Sequence, residues 1–255
     1  VRHPHPDDAS AATVFGKGAT IRRAKPPTAR SIGAPTPGAR SSLTTPHRKM
    51  RRMMTHPAFA PNSPADIDRL IAAHPFALMI SSATGTPIAT PLPVLLERDA
   101  DGAITLLGHI ARVSPHTQLL RREPRALVVF LGSHGYISPS WLADRTQAPT
   151  WNYETVHFEV DVEFDDRAEA TRTALTQLVD HMERDRPNAW SVADMGPRYE
   201  MLAQAVVAFR ARVISTQAKF KLGQNERPGD LADILQGLER TAQHSLLEAM
   251  TRSNP

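Results

Sequence analysis

The chain has 255 residues, no cysteine, 41% hydrophobic residues and a formal charge of +4. The missing thiols exclude disulfides, thiolate catalysis and cysteine-ligated metal centres, and no apolar run reaches the roughly 18 residues that a membrane-spanning helix needs. The charge is unevenly placed: residues 1–53 carry eleven Lys/Arg against two acids, whereas residues 54–255 carry 19 against 24, so a basic tail precedes a mildly acidic body.

Residues 1–53 are rich in Pro, Arg, Thr, Ala and Gly and show no sustained period. Such a stretch buries too little apolar surface to offset its ordering entropy, so it is expected to be disordered. A basic tail could neutralise the phosphates of a nucleic acid. The chain opens on Val, however, and Met53-Met54 stands where the globular pattern begins, so an over-extended reading frame is the preferred expectation. The domain proper is then 54–255.

Ser63-Pro64 with Asp66 marks a helix start, and Ile67, Leu70 and Ile71 give it one apolar face. Three strands follow, over 76–82, 87–97 and 103–110, joined by tight turns at Thr84-Gly85 and at Asp99 to Gly102. Pro91 and Pro93 mark an edge or a bulge in the second. Ser114-Pro115 repeats the capping signature and opens a short helix through Arg122. Residues 126–131 read as a buried strand. From Val156 to Phe164, apolar residues alternate strictly with His157, Glu159, Asp161 and Glu163, which predicts a strand with one core face and one acidic, wet face. A helix is predicted over 166–186, with Leu175, Leu178, Val179 and Met182 on one side. Helical turns follow to Ala203, then a long strand over 205–220, then one or two helices from Pro228. Six or seven mostly antiparallel strands with few helical crossovers fit a small closed or nearly closed β-barrel with flanking helices.

Three constellations could carry chemistry. Gly108 to Pro115 ends a strand, adds Arg112, and opens a helix at Ser114. Helix amides, a hydroxyl and a guanidinium there make an anion site suited to phosphate, or else a plain capped helix beside a solvated arginine. Tyr136, Trp141, Trp151 and Tyr153 gather around Pro-containing turns, as the wall of a site for a flat heterocycle or as a dimer seam. Lys219 to Arg227 is a strand end with cations and amides that could close a polar site or simply face solvent. The histidines of the body show no metal-ligand spacing, and no catalytic acid, base or nucleophile stands out.

Four motifs in order (GHIAR at 108–112 followed by Pro115, GSHGYISPSW at 132–141, PTWNY at 149–153 and KLGQN at 221–225) are shared with a known family. From about Met54 to about Gly237 the chain resembles the PaiB family of FMN-binding negative transcriptional regulators. The resemblance implies a split β-barrel of the pyridoxamine-phosphate-oxidase-like class, a cytoplasmic homodimer with FMN at the subunit seam. It implies that Arg112 and Ser114 hold the FMN phosphate and that His109, Ile110 and Ala111 run along the flavin. Trp151 and Asn152 would flank it, and Lys221, Gln224 and Asn225 would close the site. One departure is Gly223, where the family usually has Ser. Three roles follow as expectations: a regulator, a flavin-dependent oxidoreductase, and an interaction protein with a vestigial pocket. The acidic body and the lack of a basic recognition helix speak against direct DNA binding.

Overall fold

The two serine–proline pairs open helices as their chemistry requires. Asp66 accepts from the Ser63 amide at 2.8 Å, and α1 (Pro64–Ala73) buries Ile67, Leu70 and Ile71. Ser114 Oγ accepts from the Thr117 amide at 3.0 Å and starts α2 (Pro115–Arg122). The computed structural model describes residues 56–83 and 85–255; the tail expected to be disordered lies outside the described residues.

Six strands form a closed antiparallel barrel in the order β1-β2-β3-β6-β5-β4. They are β1 (Phe76–Ser81), β2 (Ile88–Arg98), β3 (Ile104–Ala111), β4 (Arg125–Ile137), β5 (Thr150–Asp165) and β6 (Val206–Lys221). The meander β1-β2-β3 follows from the tight turns, and Gly102 takes a left-handed φ of 82° at the second of them. Pro91 and Pro93 lie in the half of β2 that pairs with β1 alone, so their missing amides cost no bond to β3. Met79, Val94, Leu106, Val128, Phe130, Val156, Phe158, Val160 and Phe209 fill the interior, with Phe130 and Phe158 edge to face at 6.0 Å. The alternation from Val156 to Phe164 is the inner and outer face of β5, as the pattern predicts.

One element differs from the sequence expectation. β4 does not stop at Leu131. A bulge between Leu131 and His134 carries it through the Gly- and Ser-rich segment to Ile137. The glycines there serve packing: a Cβ on Gly132 would fall 2.9 Å from Leu70 of α1. One on Gly135 would fall 2.9 Å from Leu246 of α6 (His244–Ser253). The helix expected over 166–186 is α3 (Ala168–Glu183), which lies outside the barrel against β3 and buries only Thr171 fully; its apolar side is half-buried at best. α4 (Arg198–Ala203) packs on α3, and α5 (Pro228–Arg240) presents Gly237 to Trp141, whose Cγ would lie 2.7 Å from an added Cβ. Gly237→Val is expected to destabilise the protein by about 1–3 kcal/mol through overpacking. Urea unfolding measures this, and an unchanged midpoint contradicts the packing.

His116 ties α2 to the barrel, with Nε2 2.7 Å from Ser81 Oγ and Nδ1 2.7 Å from Thr90 Oγ1. Burial holds its pKa below the usual 6.5, and burial does the same to His74, His109 and His157. A histidine whose folded pKa is depressed costs stability once the unfolded chain begins to take up the proton. The melting temperature should therefore fall as pH drops below about 6.5, and His116→Gln should flatten part of that slope. A melting temperature constant from pH 7.5 to 5.5 contradicts this.

Candidate functional site

The predicted site residues fall into two groups at the two ends of β5. At the end of β3, strand alternation turns His109 and Ala111 outward and Ile110 into the core, where it is 4% exposed. His109 is largely buried and its Nδ1 has no partner among the described residues. Arg112 follows. Its Nε donates to the Gln204 carbonyl at 3.2 Å and its Nη2 to the Val206 carbonyl at 2.9 Å, while Nη1 meets Asp166 Oδ1 at 2.7 Å. Arg121, one face of α2 away, holds the same carboxylate through both oxygens, at 2.7 and 2.9 Å. These two guanidinium groups hold the Asp166 carboxyl below the usual carboxylate range, Arg121 foremost. Ser114 is committed as the cap of α2.

A cavity of about 340 Å³ opens beside this cluster, lined by Arg112, Asp166, Thr171, Arg172, Glu200 and Gln204. Thr171 Oγ1 is buried there without a partner. Two arginines gripping a half-exposed carboxylate, next to an unused hydroxyl, are a donor set that fits a phosphate monoester. The sequence offered Arg112 and Ser114. It gave no sign of Arg121, Asp166 or Thr171, because they meet Arg112 only through the fold.

The second group sits where β5 begins. Trp151 and Asn152 are neighbours on the strand and so face opposite ways. Trp151 is 55% exposed on the outer face, 6.1 Å from the Tyr136 ring and 6.5 Å from His134. Asn152 is fully buried. Its Nδ2 donates to Met250 Sδ at 3.4 Å and its Oδ1 is left without a partner. Lys221, opposite Tyr153, donates to Thr150 Oγ1 and, at 3.0 Å, to the Trp151 carbonyl, and burial lowers its pKa. Gln224 knits the strand end to α6: Oε1 accepts from the Leu222 amide, and Nε2 donates to the Phe220 carbonyl and to Ser253. Asn225 is exposed. Gly223 has a left-handed φ of 84°, and a Cβ there would lie 2.9 Å from Met250 Cε, so this backbone requires the glycine that departs from the family pattern. The aromatic wall is therefore smaller than the sequence suggested. Tyr136 and Trp151 form it with His134, while Trp141 turns away onto α5 and Tyr153 lies beneath Lys219.

The closed six-stranded antiparallel barrel with flanking helices is the fold of the split-barrel class. The family described as "Putative FMN-binding domain" matches residues 53–215, and the chain belongs to it, with FMN as its cofactor. A Bacillus subtilis relative, "Protease synthase and sporulation protein PAI 2", is 31% identical over 178 residues, covering 68% of this chain and 83% of that protein. An uncharacterized protein of Saccharomyces cerevisiae is 28% identical over 116 residues, 44% of this chain and 69% of its own. Among solved structures, the flavocytochrome Anf3 from Azotobacter vinelandii superposes with a TM-score of 0.50 at 15% identity, covering 63% of this chain and 68% of that one; the likeness is one of fold.

Arg112 thus has a structural duty besides any ligand. Arg112→Met leaves two backbone carbonyls without donors and should cost about 1–3 kcal/mol of stability. Arg121→Met breaks an exposed ion pair and a cation–π contact with Phe164, leaves no backbone carbonyl without a donor, and should cost less, about 1 kcal/mol. Equal losses in flavin-free urea unfolding contradict the assigned contacts.

Proposed function

We propose that the protein works as a homodimer that holds FMN at the seam between two barrels, and that it serves a regulatory role of the PaiB type. One observation carries the dimer. Asp165 pairs next to the Arg112 end of the barrel and Tyr153 pairs with Lys221 at the other. That separation is a dozen strand residues, about 40 Å along β5 at ~3.3 Å per residue. The Arg112 cluster and the Trp151–Lys221 group of one chain do not converge on one flavin. A second copy, packed antiparallel, brings the Trp151 end of its barrel to the Arg112 end of the first.

The outer face between the two ends suits such a partner. Phe76 and Leu78 of β1 and Leu131 of β4 are 66%, 37% and 50% exposed. Ile80, Leu127 and Val129 lie between them on the same face, half-buried, with Leu78 opposite Val129 and Ile80 opposite Leu127. A contiguous apolar patch of this kind marks an interface. In the dimer, Arg112, Arg121 and Thr171 of one chain would hold the phosphate. His109 would line the ring, and Trp151 and Lys221 of the other chain would cover it. FMN, once bound, supplies one- and two-electron redox chemistry, while the chain's residues bind it, orient it and exclude water.

Regulation is the role supported by the relative, whose name ties it to protease synthesis and sporulation. Residues 54–255 carry a net −5, which speaks against direct binding of nucleic-acid phosphates by this region. In the same reading the protein acts in the cytoplasm, and no helix among the described residues is long and apolar enough to cross a membrane. Leu78→Glu tests the dimer: gel filtration with light scattering should show a monomer, and FMN affinity should fall at least tenfold. A variant that stays dimeric, or a monomer that keeps full affinity, contradicts the seam.

A further inference from the structure

Glu154 is the buried acid of β5, 4% exposed while the strand's other acids face outward. It sits beneath α1 and α6, beside Ser133 of β4. A separate cavity of about 140 Å³ opens beside it, lined by Arg69, Ser133, Glu154, Ser245, Glu248 and Arg252. The Ser133 and Ser245 hydroxyls are 2.6 Å apart and tie β4 to α6 in the wall of this cavity. Arg69 is turned to Asp66 at 2.7 Å. Arg252 feels the charge of Glu154, yet among the described residues neither is in an ion pair.

A buried carboxyl and a free guanidinium therefore face one small cavity rather than each other. Burying a carboxyl without a cationic partner is costly and demands compensation. Burial raises the pKa of Glu154, against the pull of Arg252, Ser133 and Arg69. A ligand ammonium would supply the missing partner, and a ligand carboxylate would supply one for Arg252. A plain anion meets Glu154 and Glu248, and a plain amine meets Arg69 and Arg252, so neither is matched by the whole lining. Volume limits the rest, since an engineered cavity of about 150 Å³ is known to admit benzene, so about six heavy atoms fit.

We propose that the cleft between α1 and α6 binds a small α-amino acid of alanine or serine size. Its carboxylate lies on Arg252, its ammonium lies between Glu154 and Glu248, and the Ser133–Ser245 hydroxyls lie along it. The cleft lies on the inner side of β5, against α1 and α6, whereas the flavin platform is on the outer side. It makes no use of the paired arginines near Asp166.

Titration calorimetry of the full chain tests this with L-alanine and L-serine, against propionate and ethylamine as matched half-ligands. The amino acids should bind at least tenfold more tightly than either half-ligand. Glu154→Gln and Arg252→Gln should each weaken them about tenfold or more. Arg252 is exposed on α6, so its variant keeps the fold even if Glu154→Gln does not. No heat from either amino acid overturns the proposal. So does propionate binding as tightly as alanine, which would make the cleft a simple anion site, and so does an Arg252→Gln protein that binds as the parent does. None of these readouts involves flavin, so FMN binding can fail or hold independently.

Discussion

One ladder fixes the distances between the candidate site residues. β5 and β6 pair antiparallel from Tyr153 opposite Lys221 to Asp165 opposite Ala208. That ladder closes the barrel. It also sets the distance between the Arg112 cluster at one end and the Trp151 platform at the other. A strand of that length is rigid because every second residue from Val156 to Val162 is locked into the core. The two groups therefore stay apart within a chain, and the bare apolar face of β1 and β4 lies between them.

Much of this frame was legible in the residues. Strict alternation fixed β5 because a period of two has few competitors, and the serine–proline pairs fixed two helix starts because their capping chemistry is local. What was not legible was the continuation of β4 through Gly132, Ser133 and Gly135. Those residues have turn-like composition, and the reason they sit in a strand is the close approach of Leu70 and Leu246, which come from distant helices. The span of α3 was legible but its half-exposed position was not, for a related reason. Leucines at helical spacing say which face is apolar, not how deeply it sinks.

For the candidate site, the residue types were legible and their arrangement was not. The end of β3 reads in sequence as an anion site suited to phosphate, or as a capped helix beside a solvated arginine; in the structure the anion that Arg112 and Arg121 hold is Asp166, far along the chain. Trp151 and Asn152 looked like one unit in the sequence. Extending the strand period back by a few residues would have put them on opposite faces. Their separation leaves Trp151 on the exposed outer face and Asn152 in the packing of α6. Gln224 and Ser114 proved to hold backbone together, a duty that spacing alone does not reveal.

If the two ends of β5 serve one flavin only through a partner chain, complementation is the most direct measurement. Chains carrying Arg112→Ala and chains carrying Trp151→Ala with Lys221→Ala each lack one half of every site as homodimers. A mixed dimer, purified through two different tags, contains one intact site and one site lacking both halves. The dimer account predicts one tightly bound FMN per mixed dimer, read from flavin absorbance, and none in either parent. A mixed dimer as empty as its parents would show that both groups serve the same chain, and would contradict the account.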